Sequence, residues 1–144
     1  MKRRTFLAAG VLAPLARAAD EPGNGWREAI TRLTGGRAPQ PGRVRLVLPE
    51  TAENGNSVAL TVSVESKMQG TDRVMRLHLI SEINPYPHMA TFRFGAGMRR
   101  AEVVTRVKLA GSQRVFAIAE FSDGSVWGDT RSVNVAFAAC LEGS

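Results

Sequence analysis

From Arg43 onward, apolar and polar residues alternate in seven short runs: RVRLVLP, VALTVSV, RVMRLHLIS, MATFRF, EVVTRVKLA, RVFAIAEFS and SVNVAFA. A period of two sends successive side chains to opposite faces, so each run is expected as a half-buried β-strand. The intervals carry turn chemistry: ENGN at 53–56, QGTD at 69–72, NPYP at 84–87, GAG at 95–97 and SDGS at 122–125. No helical run separates the strands, so a βαβ rhythm is absent. Residues 43–138 are therefore expected to form an all-β fold, an immunoglobulin-like antiparallel β-sandwich.

A different period precedes the strands. In EPGNGWREAITRLTGG, Trp26, Ile30 and Leu33 fall at i, i+4 and i+7, on one face of a short helix, and Gly35-Gly36 supplies its stop. This apolar face is expected to cover the edge of a core. The APQPG that follows reads as a linker, so residues 19–42 are a short N-terminal helix and linker.

The first residues have another character. MKRRTFLAAGVLAPLARAAD has a basic start (Lys2, Arg3, Arg4), an apolar run from Phe6 to Ala16 and a small-residue cleavage site at Ala16-Arg17-Ala18. It is too short to remain as a membrane span, so no stable membrane insertion is expected. Arg3-Arg4 followed by Thr5, Phe6 and Leu7 resembles a twin-arginine signal. Residues 1–18 are read as that signal peptide and the destination as the periplasm.

Cleavage changes the charge picture. It removes four positive charges and no acidic ones, which lowers the formal balance from +6 to +2 and leaves about 126 residues, enough for one core. The high isoelectric point is thus mostly a property of the signal. The basic stretch from Arg27 to Arg45 has no interleaved stacking aromatics, so nucleic acid is not an expected partner.

Conventional catalytic chemistry has little to work with. A blue-copper loop needs His and Met close behind its Cys, and only LEGS follows Cys140. His78 lies in an alternating strand opposite to Leu77 and Leu79 and is expected to face solvent; His88 reads as a loop or strand-start residue. His78, His88 and Cys140 have no metal-ligand spacing, and neither metal nor cofactor is expected. Asp123 belongs to an Asp-Gly turn, Asp129 flanks GSVWG on its other side, and Glu82 reads as solvated. No nucleophile elbow, phosphate loop or zinc motif occurs, and the protein is not expected to be an enzyme. What remains is the single cysteine, four residues from the C-terminus.

The order of features in the C-terminal half resembles the SoxY family, the sulfur-carrier subunits of the periplasmic Sox thiosulfate-oxidising system. The matching features are Asn84-Pro85-Tyr86-Pro87, the Phe92–Phe94 strand, the run VVTRVKLAGSQRVFAIAEFSDGSVW and a last strand, SVNVAFA, leading into Cys140. The signal and the WREAITRLTGG helix extend the resemblance over nearly the whole chain. It implies an immunoglobulin-like subunit that pairs as a heterodimer with a SoxZ-like second sandwich. It also implies that Cys140 is the covalent handle: a haem protein conjugates thiosulfate to the thiol oxidatively, and further Sox-type enzymes act on the bound sulfur.

The tail has its own physical reading. Val133, Val135 and Phe137 alternate to anchor the last strand, and three more extended residues would let the thiol of the 139–144 arm stand off by roughly 10 Å. An unperturbed thiol is only about 3% ionised at pH 7, and Glu142 and the Ser144 carboxylate oppose ionisation, so activation must come from the loading enzyme. The sequence departs from its family here. The family's tail is Gly-Gly-Cys-Gly-Gly, whereas this one is Ala138-Ala139-Cys140-Leu141-Glu142-Gly143-Ser144, with less backbone freedom and more bulk. The alternative reading is a non-catalytic periplasmic interaction module, or a SoxY paralogue whose thiol no longer carries sulfur.

Overall fold

The computed structural model describes residues 23–141, so the signal-peptide reading of 1–18 and the residues Glu142 to Ser144 lie outside the described residues. Among the described residues one helix, α1 (Gly25–Thr34), is followed by nine strands: β1 (Gln40–Pro41), β2 (Val44–Val47), β3 (Thr51–Asn54), β4 (Val58–Val64), β5 (Val74–Ser81), β6 (His88–Arg93), β7 (Ala101–Val107), β8 (Gln113–Phe121) and β9 (Val126–Phe137). The seven runs correspond to β2 and β4 to β9. Two short strands were not legible as alternation, because a two- or four-residue strand is too brief to show a period.

The strands form two sheets. The larger is ordered β1-β9-β8-β5-β6, with β3 also on β9, and the smaller is β2-β4-β7. Every pairing among the seven predicted strands is antiparallel, as expected; β1 and β3 join β9 in parallel, at Trp127–Gly128 and Asn134–Phe137. The supposed APQPG linker is therefore partly a strand followed by a corner. Gly42 and Arg43 both take positive φ, turning the chain from the large sheet into the small one within two residues. Asp129 secures the corner's far side, where its Oδ2 accepts the Leu46 N–H at 2.9 Å.

The main core lies between the sheets. Val58, Leu60 and Val62 of β4 and Val103 of β7 meet Leu77 and Leu79 of β5 and Val115 of β8. Ala117 and Ala119 complete the inner face of β8. The outer face of the large sheet is covered as well. Trp26, Ile30 and Leu33, the predicted apolar stripe of α1, pack on Ile80, Phe116, Ile118 and Val126. Trp26 stacks on Phe116 with ring centroids 4.5 Å apart. Strand β8 is consequently buried at nearly every position, which alternation alone does not announce.

His78 corrects the reading of that outer face. It points away from Leu77 and Leu79, as predicted, but it is only 2% exposed because the sheet's second face is covered too. Its Nε2 lies 2.7 Å from Glu120 Oε2 and its Nδ1 2.8 Å from Thr91 Oγ1. Glu120, equally buried, also accepts Arg76 Nε at 2.9 Å and Arg37 Nη2 at 2.7 Å. Arg37 further donates to the carbonyls of Thr34 and Gly124, clamping the C-terminal end of α1 to the sheet. Glu82 is not simply solvated either; it is a bidentate acceptor for Arg114.

Two measurements follow from this packing. Trp26→Ala should lower the unfolding free energy by about 2 kcal/mol, since a half-buried indole and a stacked ring pair are lost, while Glu28→Ala on the exposed side of α1 stays within about 0.5 kcal/mol. Urea titrations of both variants check it.

The second concerns pH. Burial, the like charge of His78 and the Arg32 charge together hold His88 below its ordinary 6.5, against the Ala90 backbone contact that acts upward. For Glu120, burial acts upward, but the His78 hydrogen bond and the Arg76 charge outweigh it and hold the carboxyl below its ordinary 4.5. Both depressed groups bind fewer protons folded than unfolded, so their stabilisation is complete above the ordinary value and lost as pH falls through the folded one. The urea midpoint should decline from pH 6.5 downward and again below 4.5. His88→Gln should remove the first decline and keep the second.

Candidate functional site

The end of β9 is where the only cysteine is placed, and its path is set by a change of partners. From Val126 to Val133 the strand pairs with β8; beyond that it pairs with β3, through Thr51–Asn134, Ala52–Val135 and Asn54–Phe137. The Val135 N–H donates to Ser112 Oγ at 2.8 Å as β8 falls away. Past Phe137 no regular strand continues, yet the backbone stays attached. The Ala139 N–H donates to the Leu109 carbonyl at 2.9 Å, and the Cys140 N–H to Asn56 Oδ1 at 3.2 Å.

Gly55 makes this convergence possible. Its N–H donates to the Phe137 carbonyl at 2.7 Å and its carbonyl accepts the Leu109 N–H at 2.8 Å, so three chain segments meet at one residue. A Cβ there would stand 2.8 Å from the Ala139 nitrogen and closer still to the Leu109 carbonyl oxygen, inside any real contact distance. The requirement is for space, since the backbone does not adopt positive φ at Gly55.

Behind Leu109 stands Asn84, the first residue of the NPYP segment. It is buried, its Nδ2 donates to the Lys108 carbonyl at 2.8 Å, and its Oδ1 accepts the Ala110 N–H at 2.9 Å and Gln113 Nε2 at 3.2 Å. Asn84 thus shapes the β7–β8 turn that presents Leu109 to the tail. Sequence reasoning treated NPYP as a turn and missed this second task; a buried amide that bonds both a donor and an acceptor of a distant turn leaves no local signature.

Cys140 itself is exposed and free. Its surroundings differ from the expected stand-off arm. The backbone is held up to the Cys140 amide, so only the thiol side chain of Cys140 is left free of these bonds. The physical reason is that β3 supplies a new edge partner where β8 ends, and the glycine lets the chains approach. Phe137, expected to help anchor the last strand, is instead 74% exposed, because no layer of the described residues lies over that end of β9, and Val133 is the residue of the three that is fully buried. Arg106, bonded to Ser57 Oγ next to Asn56, adds a cation at the same end.

The two histidines come together elsewhere. Both contact Thr91 Oγ1 and their rings lie 5.9 Å apart, at 69°, on the outer face of the large sheet. Among the described residues, no three His, Cys, Asp or Glu side chains stand where they could jointly hold a metal ion. Asp123 accepts the Ser125 N–H and hydroxyl within its own turn, as its Asp-Gly sequence predicts.

Gly55→Ala should therefore loosen the tail selectively. The displaced turn should cost about 1–3 kcal/mol of stability, and the amides of Ala139 and Cys140 should exchange with solvent about tenfold faster than in the parent. Unchanged exchange at those two amides would show that Gly55 does not hold the tail.

The fold has relatives. The sulfur carrier protein SoxY from Chlorobium limicola f thiosulfatophilum superposes with a TM-score of 0.64 at 24% identity, over 76% of this chain and 94% of that one. Superoxide reductase (neelaredoxin) from Ignicoccus hospitalis gives 0.53 at 18% identity, over 65% and 80% of the two chains. The superoxide reductase from Nanoarchaeum equitans gives 0.54 at 13%, over 67% and 99%. These likenesses establish the sandwich fold, which is shared by proteins with different tasks. No curated protein matches the chain. A family model for the sulfur oxidation protein SoxY matches residues 30–140, from the middle of α1 through Cys140, and the chain belongs to that family.

Proposed function

We propose that this protein is a covalent carrier of a sulfur compound in periplasmic thiosulfate or sulfur oxidation, with Cys140 as the attachment point. The observation behind this reading is that the SoxY match runs to Cys140 itself, the sole cysteine, which is free and exposed at the end of the last strand. Loading forms one S–S bond. A Cys140 thiol and thiosulfate become a Cys–S–S–sulfonate adduct, the thiol proton goes to water, and two electrons pass to the oxidised haem partner that catalyses the step. The carrier does no turnover; it holds the sulfur while partner enzymes work on it.

Presentation requires the tail to enter a partner's cleft. Among the described residues past Phe137, two hydrogen bonds, from the Ala139 and Cys140 N–H groups, would open to release it, and each is worth about 1 kcal/mol net. That is a small barrier beside the energy of a protein–protein contact. A SoxZ-like subunit completes the carrier as a heterodimer, and Sox-type periplasmic enzymes act on it after export by the twin-arginine route. Among the described residues no helix is long and apolar enough to cross a membrane.

The Ala139 and Cys140 hydrogen bonds also favour a second reading, in which the sandwich is a non-covalent module and the thiol is incidental. Intact-protein mass spectrometry of material taken during sulfur oxidation separates the two. Adducts at Cys140 that vanish in Cys140→Ser, with partner binding and melting temperature unchanged, are expected of the carrier. A clean, unmodified parent mass, or a serine variant that supports sulfur oxidation as well as the parent, selects the module.

A further inference from the structure

Three neighbouring strands present Arg93, Arg76 and Glu120 as a single row. Arg93 of β6 is the register partner of Arg76 of β5, and Arg76 that of Glu120 of β8. Directly opposed residues of antiparallel strands project on the same face, so this row pairs two like charges, an arrangement that is destabilising when uncompensated. Glu120 does not compensate both. Its Oε1 receives Arg37 Nη2 at 2.7 Å and Arg76 Nη2 at 3.5 Å, and its Oε2 receives Arg76 Nε at 2.9 Å and His78 Nε2 at 2.7 Å. Two carboxylate oxygens offer about four acceptor positions, and all four are taken.

Arg93 is exposed and makes neither a hydrogen bond nor an ion pair with the described residues, which leaves its guanidinium fork available. Arg76 uses Nε and Nη2 on Glu120 and keeps Nη1 free. Both border a cleft of about 320 Å³, walled by Arg37 and by the apolar Met75, Phe94 and Phe121. Three guanidinium groups against one carboxylate leave a local charge of +2 in a recess with apolar sides, where ionic hydrogen bonds are stronger than in open water. Guanidinium forks match the paired oxygens of sulfate-like anions, as lysine ammonium groups do not.

We propose that this cleft is a binding site for a small dianionic tetrahedral oxoanion, held by the Arg93 fork and by Arg76 Nη1, with Arg37 contributing charge. The site stands apart from the thiol. Glu120 lies seven residues along β8 from Gln113, whose side chain bonds Asn84 behind the tail, a separation of about 23 Å at strand spacing. A bound anion would not touch Cys140; it would neutralise the Arg93–Arg76 repulsion and tie edge strand β6 to β5. The proposal does not depend on the carrier reading.

The test uses the full chain, its Arg93→Gln variant and Arg99→Gln as an exposed control outside the cleft. Sodium sulfate and sodium thiosulfate are titrated by calorimetry at constant ionic strength set with sodium chloride, and melting curves are recorded alongside. The parent and Arg99→Gln should show saturable one-to-one binding of either anion, weakened about tenfold or more in Arg93→Gln. Without the anion, Arg93→Gln should melt at or above the parent temperature, because a like-charge opposition is gone. Sulfate stabilises folded proteins generally by exclusion from their surface, so the difference between parent and variant is decisive. Equal affinity in Arg93→Gln, equal melting shifts in all three proteins, or no saturable binding in the parent would overturn the site.

Discussion

Strands β5 and β8 are buried on both faces, and most of the rest of the structure follows from how each face is covered. On the inner face the answer is apolar: leucines, valines and the small Ala117 and Ala119 let the second sheet approach closely. On the outer face it is mixed. The apolar stripe of α1 covers Ile80, Phe116 and Ile118, and beside it Glu120 gathers His78, Arg76 and Arg37 around one carboxylate. A buried charge is tolerated only where its acceptor positions are filled, and here the donors come from two places: β5 supplies two and the segment after α1 the third. The network therefore also fixes the helix, since Arg37 cannot reach Glu120 unless the Gly35-Gly36 stop has turned the chain toward the sheet.

The tail depends on a second convergence, at the other end of β8. A terminal segment is ordinarily free, yet Gly55, Leu109 and Asn56 hold this one up to the Cys140 amide. The order of support runs inward: Asn84 shapes the β7–β8 turn, the turn presents Leu109, and Leu109 and Gly55 together receive the chain after Phe137. The NPYP segment and the terminal cysteine, well separated in sequence, thus belong to one assembly. The backbone N–H groups of Ala139 and Cys140 are each held by one hydrogen bond on a rigid base, which defines the position from which the thiol projects.

Parts of this were legible without coordinates and parts were not, for reasons that differ by residue. The strand runs, the α1 stripe and the Asp123 turn rest on local periodicity and local hydrogen-bond chemistry, and they stand as read. His78 was placed on the correct face but with the wrong exposure, because alternation says which way a side chain points and nothing of what lies above it. Glu120 was passed over, since in RVFAIAEFS it looks like an outward polar residue of a half-buried strand. β1 and β3 are short parallel additions to β9, and nothing in Gln40–Pro41 or Thr51–Asn54 encodes the distant edge they join.

What the sequence determined by itself is the all-β class, the seven main strands, the helix after Asn24 with its buried face and the solitary cysteine near the chain's end. Each is a property of neighbouring residues. Only the tertiary structure decided that β9 exchanges β8 for β3, that Gly55 must lack a Cβ, that Asn84 supports the tail and that Arg93 faces Arg76. These are contacts between segments many residues apart, and register across strands is fixed by how whole sheets pack rather than by the sequence of either strand alone.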